Sequence, residues 1–264
     1  MYIDPSLEKI ADVAKTKATR KIPQNFALSI LAGAFIAIGA AALLLVKADT
    51  NLSFAISSLL AGLAFSIGLF AIVNTGTELF TGDNLMITGV ILGNIKFSQM
   101  FKTWITVWIG NFIGAAIIAV FLTAAEYGAL SNGAVTTAAT NIATAKCSMS
   151  IATITVRAIM CNILVCCAVY IATISKTVTE KFFATLMPVT IFVACGYEHC
   201  IANMFFLPFA ILNNAPISMQ DIAKNIGAAT IGNIIGGTLL FTTILILGKI
   251  SNILEPNINE KHTN

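Results

Sequence analysis

The chain has 264 residues, of which 57% are hydrophobic and only 10% are charged, and its formal net charge is +3 at pH 7. Soluble domains carry about 25% charged residues, so this composition excludes a mainly water-facing surface and predicts an all-α membrane protein. The small net charge, without a stripe of basic and aromatic residues, argues against nucleic acid as a partner.

The first 25 residues are polar and basic, and they predict a cytoplasmic amphipathic helix rather than a secretory signal. Asp4 is placed to cap this helix, with Pro5 at its first position. Such a helix could gate a pore or simply anchor the chain at the membrane surface, and both alternatives remain open. Three apolar residues share one face and two lysines lie off it: Leu7, Ile10 and Ala14 against Lys9 and Lys17.

Apolar runs predict six membrane spans between residues 26 and 249, followed by a cytoplasmic tail over 250–264. The second and fifth runs are too long for one plain helix and carry glycine and polar residues at their middle, so we expect both helices to be broken. The predicted spans are 26–46, 55–93, 103–124, 151–175, 182–212 and 226–249.

The distribution of basic residues sets the expected orientation. With the N-terminus inside, eleven of the 15 lysines and arginines fall in inside segments, and four, namely Lys47, Lys146, Arg157 and Lys224, fall outside. Because positively charged loops are retained in the cytoplasm, both termini are predicted to be cytoplasmic.

Two motifs recur in the two halves of the chain. Gly76-Thr77-Glu78 is followed by Gly110-Asn111-x-x-Gly114, and Gly196-Tyr197-Glu198 is followed by Gly232-Asn233-x-x-Gly236. An odd number of spans per half makes the halves cross the membrane in opposite senses. We therefore predict two inverted three-helix repeats with a substrate path at their interface. Chance similarity among helices rich in glycine and alanine is the alternative.

The two breaks hold the ionisable residues Glu78, Glu198 and His199. Such residues cost about 2.5–3.5 kcal/mol each at membrane depth and usually mark function. His199 is therefore a candidate for the pathway, against the alternative of a structural, hydrogen-bonded histidine. An imidazole can donate a hydrogen bond to an anion or pass a proton to the conjugate base of a weak acid.

A carboxylate would repel an anion, so we expect a scaffold role for Glu78 and Glu198. They are predicted to accept hydrogen bonds from backbone N–H groups freed by the breaks, while Gly76 and Gly196 let the chain turn. The six cysteines form no C-x-x-C pair and are predicted to be small buried hydrophobes. We expect no metal site and no cofactor.

Four motifs resemble those of the formate/nitrite transporter family: G-T-E-L-F-T-G at 76–82, A-I-M-C-N-I-L-V-C at 158–166, G-Y-E-H-C-I-A-N-M at 196–204 and I-G-N-I-I-G-G at 231–237. The resemblance runs from about residue 26 to 249. Cys167 departs from the leucine or valine usual there, which is a small apolar change. The resemblance implies an aquaporin-like fold, a homopentamer with one anion path per protomer, and the inner membrane of a bacterial cell.

The resemblance also implies roles for seven residues. His199 would be the central pore histidine and Thr81 the threonine of the loop in the second span, with Leu79 beside it. The other four are Phe65 and Phe192 in the apolar constrictions, Lys146 near the outer mouth and Asn162 in the fourth-span motif.

These features predict a channel or transporter for small monovalent weak-acid anions, namely formate, nitrite or hydrosulfide, with proton transfer at His199 as a further hypothesis. Its partners would be the anion, the bilayer and further copies of the chain. A neutral-solute channel of aquaporin type is the alternative, although the repeated Asn-Pro-Ala motif is absent. An enzyme is not expected, because the chain has no H-E-x-x-H or G-x-S-x-G motif and no paired-aspartate site.

Overall fold

Helices form most of residues 2–251, which are the residues that this computed structural model describes. The tail expected beyond Ser251 lies outside them. Tyr2–Ile3 (β1) and Ile250–Ser251 (β2) form a short antiparallel pair. The helices are α1 Pro5–Thr19, α2 Ile22–Ala48, α3 Phe54–Phe65, α4 Ile67–Thr75, α5 Ile87–Ile91, α6 Phe97–Ala124, α7 Leu130–Ser148, α8 Ile151–Ile174, α9 Val178–Ala194, α10 Cys200–Leu212, α11 Met219–Ile234 and α12 Ile244–Lys249. Gly82–Met86 and Tyr127–Ala129 are 3₁₀ turns, and Ile235–Thr243 is a π-helix.

Five helical segments are long and apolar enough to cross a membrane. They are α2, α3 with α4, α6, α8, and α11 through α12. The predicted fifth span is occupied by α9 and α10, two shorter helices separated by a break. Many large apolar side chains on these helices remain exposed, as a lipid-facing surface requires. The chain is therefore a multi-pass membrane protein.

Helix α1 packs its apolar face against the rest of the protein. Its cap is as predicted, because Asp4 accepts a hydrogen bond from the N–H of Ser6 at 2.8 Å. Its apolar face is buried and contacts α5, α6, α8 and the 82–86 turn. The expectation that Lys17 lies off the packed face is wrong, since its ammonium reaches two buried carboxylates.

The two glycine–asparagine motifs bring pairs of helices into backbone contact. A Cβ on Gly114 of α6 would lie 1.9 Å from the carbonyl oxygen of Ile30 in α2. A Cβ on Gly236 would lie 2.2 Å from the carbonyl oxygen of Ile159 in α8. Only glycine permits such an approach, so the same sequence motif packs the third spanning segment of each half against the first.

Helix α7 occupies the stretch that hydropathy alone predicts as an outer loop. It is kinked at its start, where Ser131, Asn132 and Gly133 have positive φ angles. Lys146 therefore lies in the last turn of a helix and is held in a defined direction.

Both predicted breaks are present. Gly76 and Gly196 each adopt a φ of +68° after α4 and α9, in the left-handed region that glycine enters without strain. The second break continues into the regular helix α10. The first continues into the 82–86 turn and the five-residue α5, so a regular half-helix after the break is found only in the second half.

Candidate functional site

Asn111 holds the backbone of the first break. Its side-chain Nδ2 donates to the carbonyl oxygens of Ser29, at 2.7 Å, and Glu78, at 2.9 Å. Its Oδ1 accepts from the N–H of Phe80 at 2.9 Å. One buried amide thus satisfies backbone groups that the broken helix leaves unpaired and ties the break to α2.

Asn233 does the same in the second break. Its Nδ2 donates to the carbonyl oxygens of Ala158, at 2.8 Å, and Glu198, at 2.9 Å. Its Oδ1 accepts from the N–H of Cys200 at 2.9 Å. The two halves therefore stabilise their breaks with the same three hydrogen bonds, from the asparagine that the sequence repeat contains.

The carboxylate of Glu78 is buried and paired with two cations, Lys17 of α1 and Arg20 directly after it. Lys17 Nζ lies 2.6 Å from Glu78 Oε2, and Arg20 contacts the other oxygen. The same Lys17 nitrogen lies 2.5 Å from Asp83 Oδ1. Burial by itself lowers the pKa of Lys17, but the neighbouring carboxylates of Asp83 and Glu78 outweigh it and raise that pKa. Lys17 therefore stays charged.

Glu198 is paired from α7 and from two amides. Lys146 Nζ lies 2.8 Å from Glu198 Oε1, and the Nδ2 atoms of Asn203 and Asn225 donate to Oε2 at 2.8 and 3.4 Å. Among residues 2–251, neither Glu198 nor Glu78 accepts at its carboxylate from a backbone N–H. The expected backbone donors are replaced by cationic and amide side chains.

A hydrogen bond joins the two breaks directly. His199 Nε2 lies 2.9 Å from Thr81 Oγ1, and both residues are buried. His199 also caps α10, because its Nδ1 accepts from the N–H of Ala202 at 3.1 Å. A backbone N–H can only donate, so the proton of the neutral ring is on Nε2, which donates to Thr81. The hydroxyl hydrogen of Thr81 is then available for another acceptor.

Two cavities approach this pair and share no lining residue. The α1-side cavity, of about 460 Å³, is bounded by α1 and reaches Leu79. The α7-side cavity, of about 370 Å³, reaches Phe65, Phe192 and His199. The α7-side cavity is lined by three basic residues, Lys47, Lys146 and Arg157, and by no carboxylate. The charged residues that line the α1-side cavity are four basic ones and two acidic ones: Lys9, Lys17, Arg20 and Lys181 with Glu78 and Asp83.

The sequence model of the family described as formate/nitrite transporter matches residues 4–247. The chain belongs to the formate/nitrite transporter family. It is 33% identical over 250 residues to the formate channel FocA of Haemophilus influenzae, covering 86% of this chain and 87% of that protein. It is 34% identical over 245 residues to a probable formate transporter of Methanothermobacter thermautotrophicus, covering 86% and 89%.

Solved structures of the formate/nitrite transporter family share the fold. A pentameric formate channel with formate bound superposes with a TM-score of 0.78 at 29% identity, covering 86% of this chain and 96% of that one. An FNT family ion channel superposes with a TM-score of 0.84 at 25% identity, covering 93% and 99%. The all-helical fold of this chain is therefore that of the formate/nitrite transporter family.

The two phenylalanines expected at the constrictions of a formate/nitrite transporter lie together. The rings of Phe65 and Phe192 meet edge to face with centroids 5.8 Å apart. Phe192 also stacks on the ring of His199 at 5.8 Å, with 23° between the planes. The two rings thus pack side by side next to His199, and Leu79 is an apolar residue that lines the other cavity.

Asn162 of α8 is fully buried. It lines neither cavity, and its Nδ2 donates to the carbonyl oxygen of Asn233 at 2.7 Å.

The six cysteines are all free. Cys195 is exposed and lines the α7-side cavity, so the expectation of a buried thiol is wrong for this residue. It holds for Cys147, Cys161, Cys166 and Cys200.

The sequence motifs do not identify Lys17 as a residue of the site, but the spacing of the internal repeat does. Lys17 lies five residues before α2 begins at Ile22, and Lys146 lies five residues before α8 begins at Ile151. Lys17 and Lys146 are thus 129 residues apart, and the same interval separates Leu28 from Arg157. The carbonyl oxygen of Leu28 accepts from the N–H of Glu78 at 3.5 Å, and that of Arg157 accepts from the N–H of Glu198 at 3.4 Å. Helix α1 is therefore the counterpart of α7.

Proposed function

We propose that this formate/nitrite transporter passes a small monovalent weak-acid anion, with formate as the first candidate. The observation that carries the proposal is the Thr81–His199 hydrogen bond of 2.9 Å, between Leu79 on one side and the Phe65–Phe192 pair on the other. Each apolar boundary faces its own cavity. Such a sequence of layers collects, dehydrates and binds a small ion.

Electrostatics favour an anion as the permeating species. The α7-side cavity is lined by three basic residues and no acidic one, and the basic residues of the α1-side cavity outnumber its two carboxylates. This charge raises the local concentration of anions. The same feature disfavours the alternative of a neutral-solute channel, and the relatives named above are channels or transporters rather than enzymes.

Thr81 and His199 supply the donors that replace the hydration of the anion. With Nδ1 capping α10, the neutral ring of His199 presents its Nε2–H, and Thr81 presents its hydroxyl hydrogen. Loss of the Nε2 proton from a neutral ring would produce an imidazolate, so proton donation by His199 requires Nδ1 to leave the N–H of Ala202 and become protonated. We therefore assign His199 a role as hydrogen-bond donor in this arrangement.

The proposed topology has six spans in two inverted three-helix repeats of aquaporin type, with α9 and α10 as the broken fifth span. The matching hydrogen bonds of Asn111 and Asn233 support it. The excess of basic residues on the α1 side supports cytoplasmic termini, with residues 1–25 at the inner mouth. Similarity to the pentameric formate channel supports a homopentamer, and similarity to the formate channel of Haemophilus influenzae supports a bacterial inner membrane as its location.

Flux through the purified protein in proteoliposomes tests the proposal. We expect uptake of formate, nitrite or hydrosulfide, and no swelling in a glycerol gradient. Thr81→Val keeps the shape of the side chain but removes the hydroxyl donor, and should lower anion flux at least about tenfold. The matched control is Thr137→Val, at an exposed position of α7. Glycerol permeation without anion flux would reverse the proposal.

A further inference from the structure

Asp83 is a buried carboxylate to which the proposed anion transport assigns no role. Its side chain is inaccessible to solvent, and it lines the α1-side cavity beside Leu79. One oxygen, Oδ1, accepts from Lys17 at 2.5 Å. The other, Oδ2, is buried and has no hydrogen-bond partner among residues 2–251. A buried carboxylate oxygen without a donor is costly when ionised.

The internal repeat identifies Asn203 as the residue of the second break that corresponds to Asp83. Glu78 and Phe80 correspond to Glu198 and Cys200, each pair 120 residues apart, and the same interval carries Asp83 to Asn203. Asn203 Nδ2 donates to Glu198 Oε2 at 2.8 Å. The second break therefore has a hydrogen-bond donor to its glutamate where the first has a carboxyl group.

An ionised Asp83 cannot make the corresponding hydrogen bond, but a protonated one can. Its carboxylate and that of Glu78 both contact the Lys17 nitrogen, at 2.5 and 2.6 Å, so the two groups lie close together. Addition of one proton to Oδ2 would create an O–H in the place of the Asn203 N–H. The charged and titratable groups facing Asp83 are Lys17 of α1, Arg20 directly after α1, Glu78 of the break, Lys9 and Lys181 across the cavity, and the Cys166 thiol of α8.

We propose that Asp83 is a proton-binding site of the α1-side cavity, and that its protonation controls entry of the anion past Leu79. The proton comes from hydronium in the cavity, forms the Oδ2–H bond and leaves water behind. This inference rests on the proposed anion transport. It differs from proton donation by His199, since Asp83 changes the charge of the cavity and transfers nothing to the anion.

Charge balance gives the direction of the effect. When both carboxylates are ionised, Glu78 and Asp83 offset Lys17 and Arg20. Protonation of Asp83 leaves one net positive charge beside Leu79, which attracts an anion. Flux of formate, measured over a pH range in which formate itself stays ionised, should therefore rise as the pH falls through the titration of Asp83.

Asp83→Asn tests this, because it fixes the neutral, donating form found at Asn203. We expect its flux at neutral and alkaline pH to rise to the level that the unaltered protein reaches in acid, with loss of the pH dependence. Asp83→Glu should keep a pH-dependent flux with a shifted midpoint. If Asp83 only anchored Lys17, Asp83→Asn would lower flux at every pH and leave the profile unchanged, which would overturn the proposal.

Infrared difference spectroscopy of the reconstituted protein provides a readout that needs no transport. Acid-minus-base spectra should contain the C=O band of a protonated buried carboxyl group, absent in Asp83→Asn and retained in Asp221→Asn, which alters a half-exposed side chain of α11. Persistence of the band in Asp83→Asn would overturn the assignment. A band that depends on Asp83 in a protein without anion flux would contradict the proposed function but leave the proton site standing.

Discussion

Lys17 and Lys146 occupy equivalent places in the two halves of the chain. Each lies five residues before a spanning helix begins, and each Nζ contacts the glutamate of a break, at 2.6 Å for Glu78 and 2.8 Å for Glu198. Since Lys17 belongs to α1 and Lys146 to α7, α1 contacts the first break as α7 contacts the second. This finding bears on whether α1 acts as a gate or as an anchor, which the sequence leaves open. If α1 moved away, the buried carboxylates of Glu78 and Asp83 would lose their cationic partners.

Lys17→Met should therefore destabilise the protein. Methionine keeps the apolar stem but leaves Asp83 without its cation and Glu78 with Arg20 alone. Loss of one partner of a buried pair costs about 3–5 kcal/mol, and we expect the lower end because Arg20 remains. Thermal unfolding in detergent measures the effect. Lys15→Met, at an exposed position of the same helix, is the control; equal unfolding temperatures for the two variants would contradict the pairing role.

Asn111→Ala and Asn233→Ala should be similarly damaging. Each removes three hydrogen bonds and leaves buried backbone groups of a break without partners. At about 0.5–1.5 kcal/mol per bond, with a further cost for stranded groups, we expect a loss of about 2–4 kcal/mol. Denaturant or thermal unfolding tests this against Asn51→Ala, at an exposed loop position. A loss in only one of the two asparagine variants would show that the halves are not equivalent.

The breaks could be predicted because their causes are local. Gly76 and Gly196 sit in polar interruptions of apolar runs, and both take the left-handed conformation that favours glycine. The pairing of Glu78 could not be predicted in the same way. Lys17 lies 61 residues away, in a segment whose own pattern indicates only an amphipathic helix. Hydropathy carries no information about which cation a buried carboxylate will meet.

Helix α7 was missed for a related reason. Its alanine- and threonine-rich sequence is too polar for a span, and hydropathy cannot distinguish such a helix from a loop. The asparagines were visible in the repeated motif, but their partners are backbone groups, which leave no trace in residue type. Pairing of the two halves residue by residue, with an interval of 129 for Leu28 and Arg157 and of 120 for Glu78 and Glu198, is the sequence operation that would have exposed these contacts.

Gly114→Ala and Gly236→Ala should disrupt helix packing. Each added methyl group would lie about 2 Å from a backbone carbonyl oxygen, of Ile30 or Ile159, and backbone cannot move aside as a flexible side chain can. Overpacking costs about 1–3 kcal/mol or more, measurable as a lower unfolding temperature. Gly227→Ala in α11 is the matched control, since a methyl group added there would meet no neighbouring atom within 4 Å. There the better helix propensity of alanine should raise stability slightly.

Two substitutions of His199 distinguish a role as hydrogen-bond donor from a role as proton donor. His199→Asn keeps an N–H donor near Thr81 and an oxygen able to cap α10, whereas His199→Leu removes both. If the neutral ring only donates hydrogen bonds, formate flux should persist in the asparagine variant with its pH dependence intact, and should fall at least about tenfold in the leucine variant. Flux measured from acid to alkaline pH in proteoliposomes decides between the roles. Loss of the pH dependence in His199→Asn, with Asp83 unaltered, would instead show that His199 is the group that exchanges the proton.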